Sequence, residues 1–185
     1  CNALKRIPLF KSDVPTARIL GAHMEGPYLN PAKGGAHNPK YLRSPSAGDF
    51  QTFMDIASDT LRVVTISPEL DLAIDFVEYL VSKGIIVSLG HTASDATTAL
   101  KAIGSGARLC AHIFNGMQPI EARNPSATVA FLTEDSCFTE LVADGVHVDP
   151  EVIKLLFKVK PMNRIILVSD STPPSGTNEK YWELE

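Results

Sequence analysis

Gly84 to Met117, GIIVSLGHTASDATTALKAIGSGARLCAHIFNGM, decides the fold. Its apolar run Ile85, Ile86, Val87, Ser88, Leu89 predicts a buried strand that ends at His91, and Ala107 to Ala111 predicts a second strand closed by His112. Between them, Ser94 and Asp95 supply helix caps, Ala96, Ala99, Leu100 and Ile103 an apolar face, and Gly104 a stop. The stretch is one strand, helix, strand unit, so both histidines leave parallel strands on the same side. That carboxyl-end side is where α/β folds place their chemistry, and two imidazoles there can converge on one metal ion.

Upstream, Ala17 to His23 predicts a short strand that delivers Glu25, a third candidate ligand, followed by Gly26 and Pro27. Tyr28 to Pro39 is rich in Gly, Pro and Asn and reads as a loop able to wrap a ligand and too polar to be core. Ala47 to Ser58 reads as a helix and Leu61 to Ser67 as a buried strand ending in Pro68 and Glu69. Leu70 to Lys83 is an amphipathic helix with Leu70, Ala73, Ile74, Val77, Leu80 and Val81 inward and Gly84 as its cap. Downstream, Asn115 to Asp135 is a long excursion with a short helix or strand near Ala127 to Leu132. Phe138 to Ala143 is a strand that releases Asp144, Gly145, Val146 and His147. Pro150 to Lys160 is a helix with proline in its first turn and lysines in its last, and Arg164 to Val168 is the sixth strand, ending in Ser169 and Asp170. Strand alternating with helix calls for a parallel sheet. A closed (β/α)8 barrel needs eight strands and typically about 250 residues. With 185 residues and Cys1 at its start, the chain is expected to be part of a longer protein.

Composition narrows the function. A 44% hydrophobic, 21% charged chain can build one substantial core, and a net charge of −4 without a basic stripe argues against a nucleic-acid partner. No apolar run approaches the roughly 20 residues that cross a bilayer, and no secretory signal is visible. Cys1, Cys110 and Cys137 are odd in number and widely spaced, which argues against a disulfide framework and for a reducing cytoplasm.

Glu25, His91, His112, His147 and Asp170 all fall at or just past the trailing ends of apolar strands. A catalytic zinc takes three protein ligands and keeps a fourth position for water; Glu25, His91 and His112 satisfy that. A carboxylate that is not a ligand, such as Asp170, can accept the water's proton and pass it to the leaving group. Each residue also has an ordinary alternative. A single histidine in an α/β protein is more often structural than a ligand. Glu25 could be a solvated turn carboxylate, Asp170 a helix cap, Arg123 a surface charge, His37 a loop residue, and Asn115 with Gly116 a turn. Clustering on one face favours the site.

Five segments in order, GAHMEGPYLNPAKGGAHNP (Gly21 to Pro39), SLGHTASD (Ser88 to Asp95), AHIFNGM (Ala111 to Met117), ADGVHV (Ala143 to Val148) and VSDSTPPSG (Val168 to Gly176), together resemble the N-acetylglucosamine-6-phosphate deacetylase family of the amidohydrolase superfamily. The resemblance implies a partial TIM-like (β/α)8 barrel of about strands 3 to 8, lacking the first strands and the accessory β-sandwich, with residues 1–185 forming one incomplete catalytic domain. It implies Glu25, His91 and His112 as ligands of a divalent metal, zinc and one per chain, with iron or a second ion as alternatives. Asp170 matches the catalytic general base and acid. His147 matches a residue that touches the sugar or polarises the acetyl carbonyl. Ala36, His37, Asn115, Gly116 and the segment Asp144, Gly145, Val146 and His147 match substrate contacts. Arg123 matches a phosphate contact that a neighbouring subunit can supply, which implies a homodimer acting on a small sugar phosphate. Gly116 departs from the family's usual alanine, and STPPSG replaces a more alanine-rich segment. The competing readings are a truncated, inactive fragment of such an enzyme and a related amidohydrolase acting on another amide.

Overall fold

A computed structural model describes residues 17–46, 48–49, 51–52, 55, 60–172 and 175–178. Its frame is one sheet of six strands, β1 (Ala22–Glu25), β2 (Leu61–Ile66), β3 (Ile86–Leu89), β4 (Leu109–Cys110), β5 (Phe138–Leu141) and β6 (Ile165–Leu167). They lie side by side in chain order, and every neighbouring pair is parallel. This is the alternating α/β architecture expected from the sequence, a six-strand part of a TIM-like arrangement.

The register decides which side chains share a face. Glu25 pairs with Thr65, Thr65 with Ser88, Ser88 with Leu109 and Leu109 with Phe138, so these point the same way. The opposite face carries Val64, Ile66, Val87, Leu89 and Cys110, all 0% exposed, and meets the helices. Helix α1 (Ala73–Ser82) buries Ala73, Phe76, Val77 and Leu80 in that core, and α2 (Ala96–Gly104) buries Ala99, Ala102 and Ile103. Truncating a core phenylalanine such as Phe76 to alanine costs about 3–5 kcal/mol. Helix α3 (Ala127–Thr133) settles the excursion after β4 as helical, and α4 (Pro150–Val159) precedes β6.

Local chemistry sets the helix ends. Both α1 and α2 stop in the same motif: Ile85 N–H reaches Leu80 O and Gly84 N–H reaches Val81 O, each at 3.0 Å, while Ala107 N–H reaches Ala102 O at 3.1 Å and Gly106 N–H reaches Ile103 O at 3.0 Å. Gly84 therefore caps as expected, whereas in α2 Gly104 is the last helical residue and the left-handed position belongs to Gly106, at φ 112°. Asp95 caps α2 by accepting Thr98 N–H at 2.7 Å.

Four expectations shift. Strand β1 starts at Ala22 rather than Ala17, because its pairing with β2 begins at Leu61, and Ile19 and Leu20 are exposed. Helix α1 starts at Ala73 because Leu72 takes a left-handed φ of 60°. Val81 and Leu100, expected inward, are exposed. Tyr28 and Leu29, read as loop too polar for core, are 0% exposed, and Tyr28 packs edge-on against Phe76 at 4.9 Å between ring centroids. Of the helix expected over Ala47 to Ser58, Gly48, Asp49, Gln51, Thr52 and Asp55 are helical; the remainder lies outside the described residues.

Candidate metal centre

Three parallel strands end in the three ligand candidates. Glu25 is the last residue of β1, and His91 and His112 each stand two residues beyond β3 and β4. Their ligand atoms all lie within 4.8 Å of one another. Glu25 Oε1 is 3.0 Å from His91 Nε2 and 2.8 Å from His112 Nε2, and the two Nε2 atoms are 3.1 Å apart. Both imidazoles are buried.

The donor set fits a cation on proton accounting. His91 Nδ1 lies 2.7 Å from the Lys33 carbonyl, which only accepts, so Nδ1 carries the proton and the neutral ring presents its Nε2 lone pair. That lone pair faces a carboxylate oxygen and a second imidazole nitrogen. Such a confrontation of acceptors needs a shared proton or a metal ion between them. The backbone carbonyl behind His91 is the partner expected of a metal-binding histidine. Burial opposes the charge on Glu25, yet the hydrogen bonds of His112 and His91 hold its pKa far below the usual carboxylate range. Burial likewise pulls the His112 pKa down, and the hydrogen bond and charge of Glu25 outweigh it and raise the net value.

The backbone at the site is forced. Among the described residues five non-glycines have positive φ: His91 at 46°, His112 at 24°, Asp170 at 51°, Leu72 and Phe114. L residues hold such angles only where their surroundings over-determine them, and three of the five stand at this site.

A cavity of about 460 Å³ opens over the three ligands, and Ala36, His37, Asn115, Gly116, His147 and Asp170 line it. Asp144, Gly145, Val146 and Arg123 do not line it; all four are exposed. Asp144 instead serves its own loop. Its Oδ1 accepts Val146 N–H at 2.9 Å and His147 N–H at 2.8 Å, and its Oδ2 pairs with His147 Nδ1 at 2.7 Å. The backbone N–H groups of His147 and Val146 draw the Asp144 pKa down to about 2.

Three residues of this neighbourhood escaped the sequence reading. His23 lies two positions before Glu25 on β1 and shares a second cavity of about 280 Å³ with Glu25, His112, Glu140 and Asp170. The two-residue strand period was the signal for it. Glu140 sits inside the same cavity, and burial raises its pKa. Thr172 completes the rim of the larger cavity.

No family model matches the chain. Individual relatives do. N-acetylglucosamine-6-phosphate deacetylase from Rattus norvegicus is 36% identical over 183 residues, 95% of this chain and 44% of the relative. N-acetylgalactosamine-6-phosphate deacetylase from Escherichia coli O157:H7 is 34% identical over 183 residues, 98% of this chain and 48% of the relative. Among solved structures, a mutant N-acetyl-D-glucosamine-6-phosphate deacetylase from Mycobacterium smegmatis, in complex with N-acetyl-D-glucosamine-6-phosphate, superposes with a TM-score of 0.82 at 34% identity, over 84% of this chain and 41% of that one. The chain thus spans less than half the length of these relatives. In sequence and in fold, it matches part of the N-acetylglucosamine-6-phosphate deacetylases.

Proposed function

We propose that this chain is the central part of a metal-dependent hydrolase that cleaves the acetamide of N-acetylglucosamine 6-phosphate to glucosamine 6-phosphate and acetate. The observation that carries the proposal is the convergence of Glu25 Oε1, His91 Nε2 and His112 Nε2 within 4.8 Å, beneath a cavity that Asp170 also lines. These three side chains would hold one divalent ion, zinc by the choice of two imidazoles and a carboxylate. Bound there, such an ion supplies the Lewis acidity that an unreactive amide carbonyl needs.

The chain's own groups would do the rest. Asp170 takes the proton from the attacking water and delivers it to the departing amine nitrogen, one carboxylate serving as base and then acid. His147 donates through Nδ1 to Asp144, which leaves its Nε2 for the sugar or the acetyl oxygen. Ala36, His37, Asn115 and Gly116 form the wall against the sugar. Arg123, exposed and not part of the cavity lining in its own chain, would read the phosphate across a homodimer interface in a cytoplasmic enzyme. The described helices include none long and apolar enough to cross a membrane.

The relative named for N-acetylgalactosamine 6-phosphate supports a second reading, the epimeric sugar at the same site. Acetate release by this chain, with each sugar phosphate and with unphosphorylated N-acetylglucosamine, tests both. Expected are turnover of N-acetylglucosamine 6-phosphate that a chelator abolishes, a strongly raised KM without the phosphate, and a loss of about 10²–10⁴-fold in kcat for Asp170→Asn with metal retained. Unaltered kcat in that variant would remove Asp170 from the mechanism. Metal uptake without acetate release would favour the inactive-fragment reading.

A further inference from the structure

Glu69 stands just past the carboxyl end of β2, and none of the chemistry above uses it. Its Oε1 accepts from Asn30 Nδ2 at 2.8 Å and from the Ala93 backbone N–H at 2.7 Å, and its Oε2 accepts from Thr92 Oγ1 at 2.6 Å. These donors reach His91 from two directions. Thr92 and Ala93 follow His91 directly in the chain. Asn30 caps the short turn Pro31–Lys33, its Oδ1 accepting Ala32 N–H at 2.9 Å, and that turn ends in the carbonyl that receives His91 Nδ1–H. Ser67, two residues before Glu69, ties the same two loops: its Oγ accepts Asn30 N–H at 2.7 Å and donates to the His91 carbonyl at 2.6 Å. His91 is held at φ 46° inside this frame.

We propose that Glu69 is a positioning residue for the metal centre: its carboxylate fixes the chain on both sides of His91, so that Nδ1 keeps its carbonyl partner and Nε2 stays aimed at Glu25 and His112. The proposal rests on the metal-centre reading given above. A carboxylate suits the task because it faces three donors and no acceptor. Glutamine keeps one oxygen for Asn30 and Ala93, and the Thr92 hydroxyl can turn to accept from the new amide, since it also lies 2.8 Å from Ser94 Oγ. Alanine takes this acceptor from the Asn30 amide and the Ala93 N–H, and leaves the Thr92 hydroxyl only Ser94 Oγ. Removing a partner that stands behind a metal ligand typically costs about 10–100-fold in metal affinity.

The test is zinc affinity by chelator competition, together with the visible spectrum of the cobalt-loaded protein, on the whole chain. Glu69→Ala is expected to lose about 10–100-fold in affinity and to shift the cobalt bands, and Glu69→Gln to recover most of both. Asp95→Ala, which removes the α2 cap away from the centre, should lower the melting temperature and leave affinity and spectrum unchanged. Should Glu69→Ala fail to fold, Asn30→Ala removes one donor and the cap of the turn; a several-fold loss of affinity supports the proposal and wild-type affinity overturns it. Glu69→Ala binding zinc like wild type while His91→Ala does not overturns the Glu69 role alone. So does an equal loss in Asp95→Ala. Wild-type protein that takes up no metal, or His91→Ala that binds as tightly as wild type, overturns the metal-centre reading and the Glu69 role with it.

Discussion

Gly116 has no room for a side chain. A Cβ there would lie 2.9 Å from His91 Nδ1 and 3.2 Å from the Lys33 carbonyl, so it would push between the two atoms whose hydrogen bond orients the candidate ligand. Its φ of 61° adds about 1–2 kcal/mol of strain for any L residue. Gly116→Ala is therefore expected to weaken metal binding by about 10-fold or more, read by chelator competition. Asp144 makes a separate statement about pH. Two backbone N–H groups and His147 hold its pKa at about 2, below the value of about 3.9 in an unfolded chain. A depressed carboxylate contributes stability that is present above the unfolded pKa and lost as pH falls through the folded one, here between about 4 and about 2. The carboxyl carbon shift of Asp144 should titrate near pH 2, and Asp144→Asn should remove that midpoint and free the His147 ring, whose Nδ1 loses its acceptor. At this scale the strand-end rule was enough to pick out Glu25, His91 and His112. It placed Glu69 at a strand end but could not link it, or the Lys33 carbonyl, to His91, because those connections run through loops distant in the chain and leave no periodic trace.

Among the elements, the two glycines that end α1 and α2 separate two costs. Gly84, at φ 75°, has nothing within 4 Å of a would-be Cβ. Gly106, at φ 112°, would put its Cβ 3.0 Å from Val81 Cγ1 and Cγ2 on α1. Gly84→Ala should cost only the left-handed conformation, about 1 kcal/mol. Gly106→Ala adds overpacking of about 1–3 kcal/mol, for a total near 2–4 kcal/mol. Denaturant unfolding of both variants checks the difference, and equal costs would mean that Val81 yields freely. The same pair shows why strand and helix identities were readable while their boundaries were not. Apolar runs and the 3.6-residue period located the strands and the helices α1, α2 and α4, since burial writes them into the sequence, while α3 was left open between helix and strand. The left-handed Leu72, which delays α1, and the choice of Gly106 over Gly104 depend on backbone angles that a glycine permits but does not announce. Lys160 is a further case. Read as a charge in the last turn of α4, it is 2% exposed, and its Nζ donates to the carbonyls of Phe131 at 2.6 Å and Glu134 at 2.7 Å, closing the end of α3 instead.

For the molecule as a whole, the candidate ligands come from the ends of β1, β3 and β4, separated by 66 residues between Glu25 and His91 and by 21 between His91 and His112. An ion held by all three binds the folded chain and finds no such arrangement in the unfolded one. It therefore stabilises by RT ln(1 + [L]/Kd), about 2.7 kcal/mol at a free concentration 100 times Kd, and about 1.4 kcal/mol more for each further tenfold. A domain of this size moves by about 2–4 °C per kcal/mol, so saturating zinc should raise the melting temperature by about 5–10 °C over chelator-treated protein. The rise should grow with the logarithm of zinc concentration rather than level off when the site fills, because linkage continues beyond saturation. His91→Ala, which removes the ligand with the best-fixed ring, should melt at the same temperature with and without zinc. A zinc-dependent rise of equal size in that variant would place the ion elsewhere. A wild-type melting temperature indifferent to chelator would mean that the strand ends are held together by the sheet and its core alone, with Glu25 bridging two imidazoles through a proton.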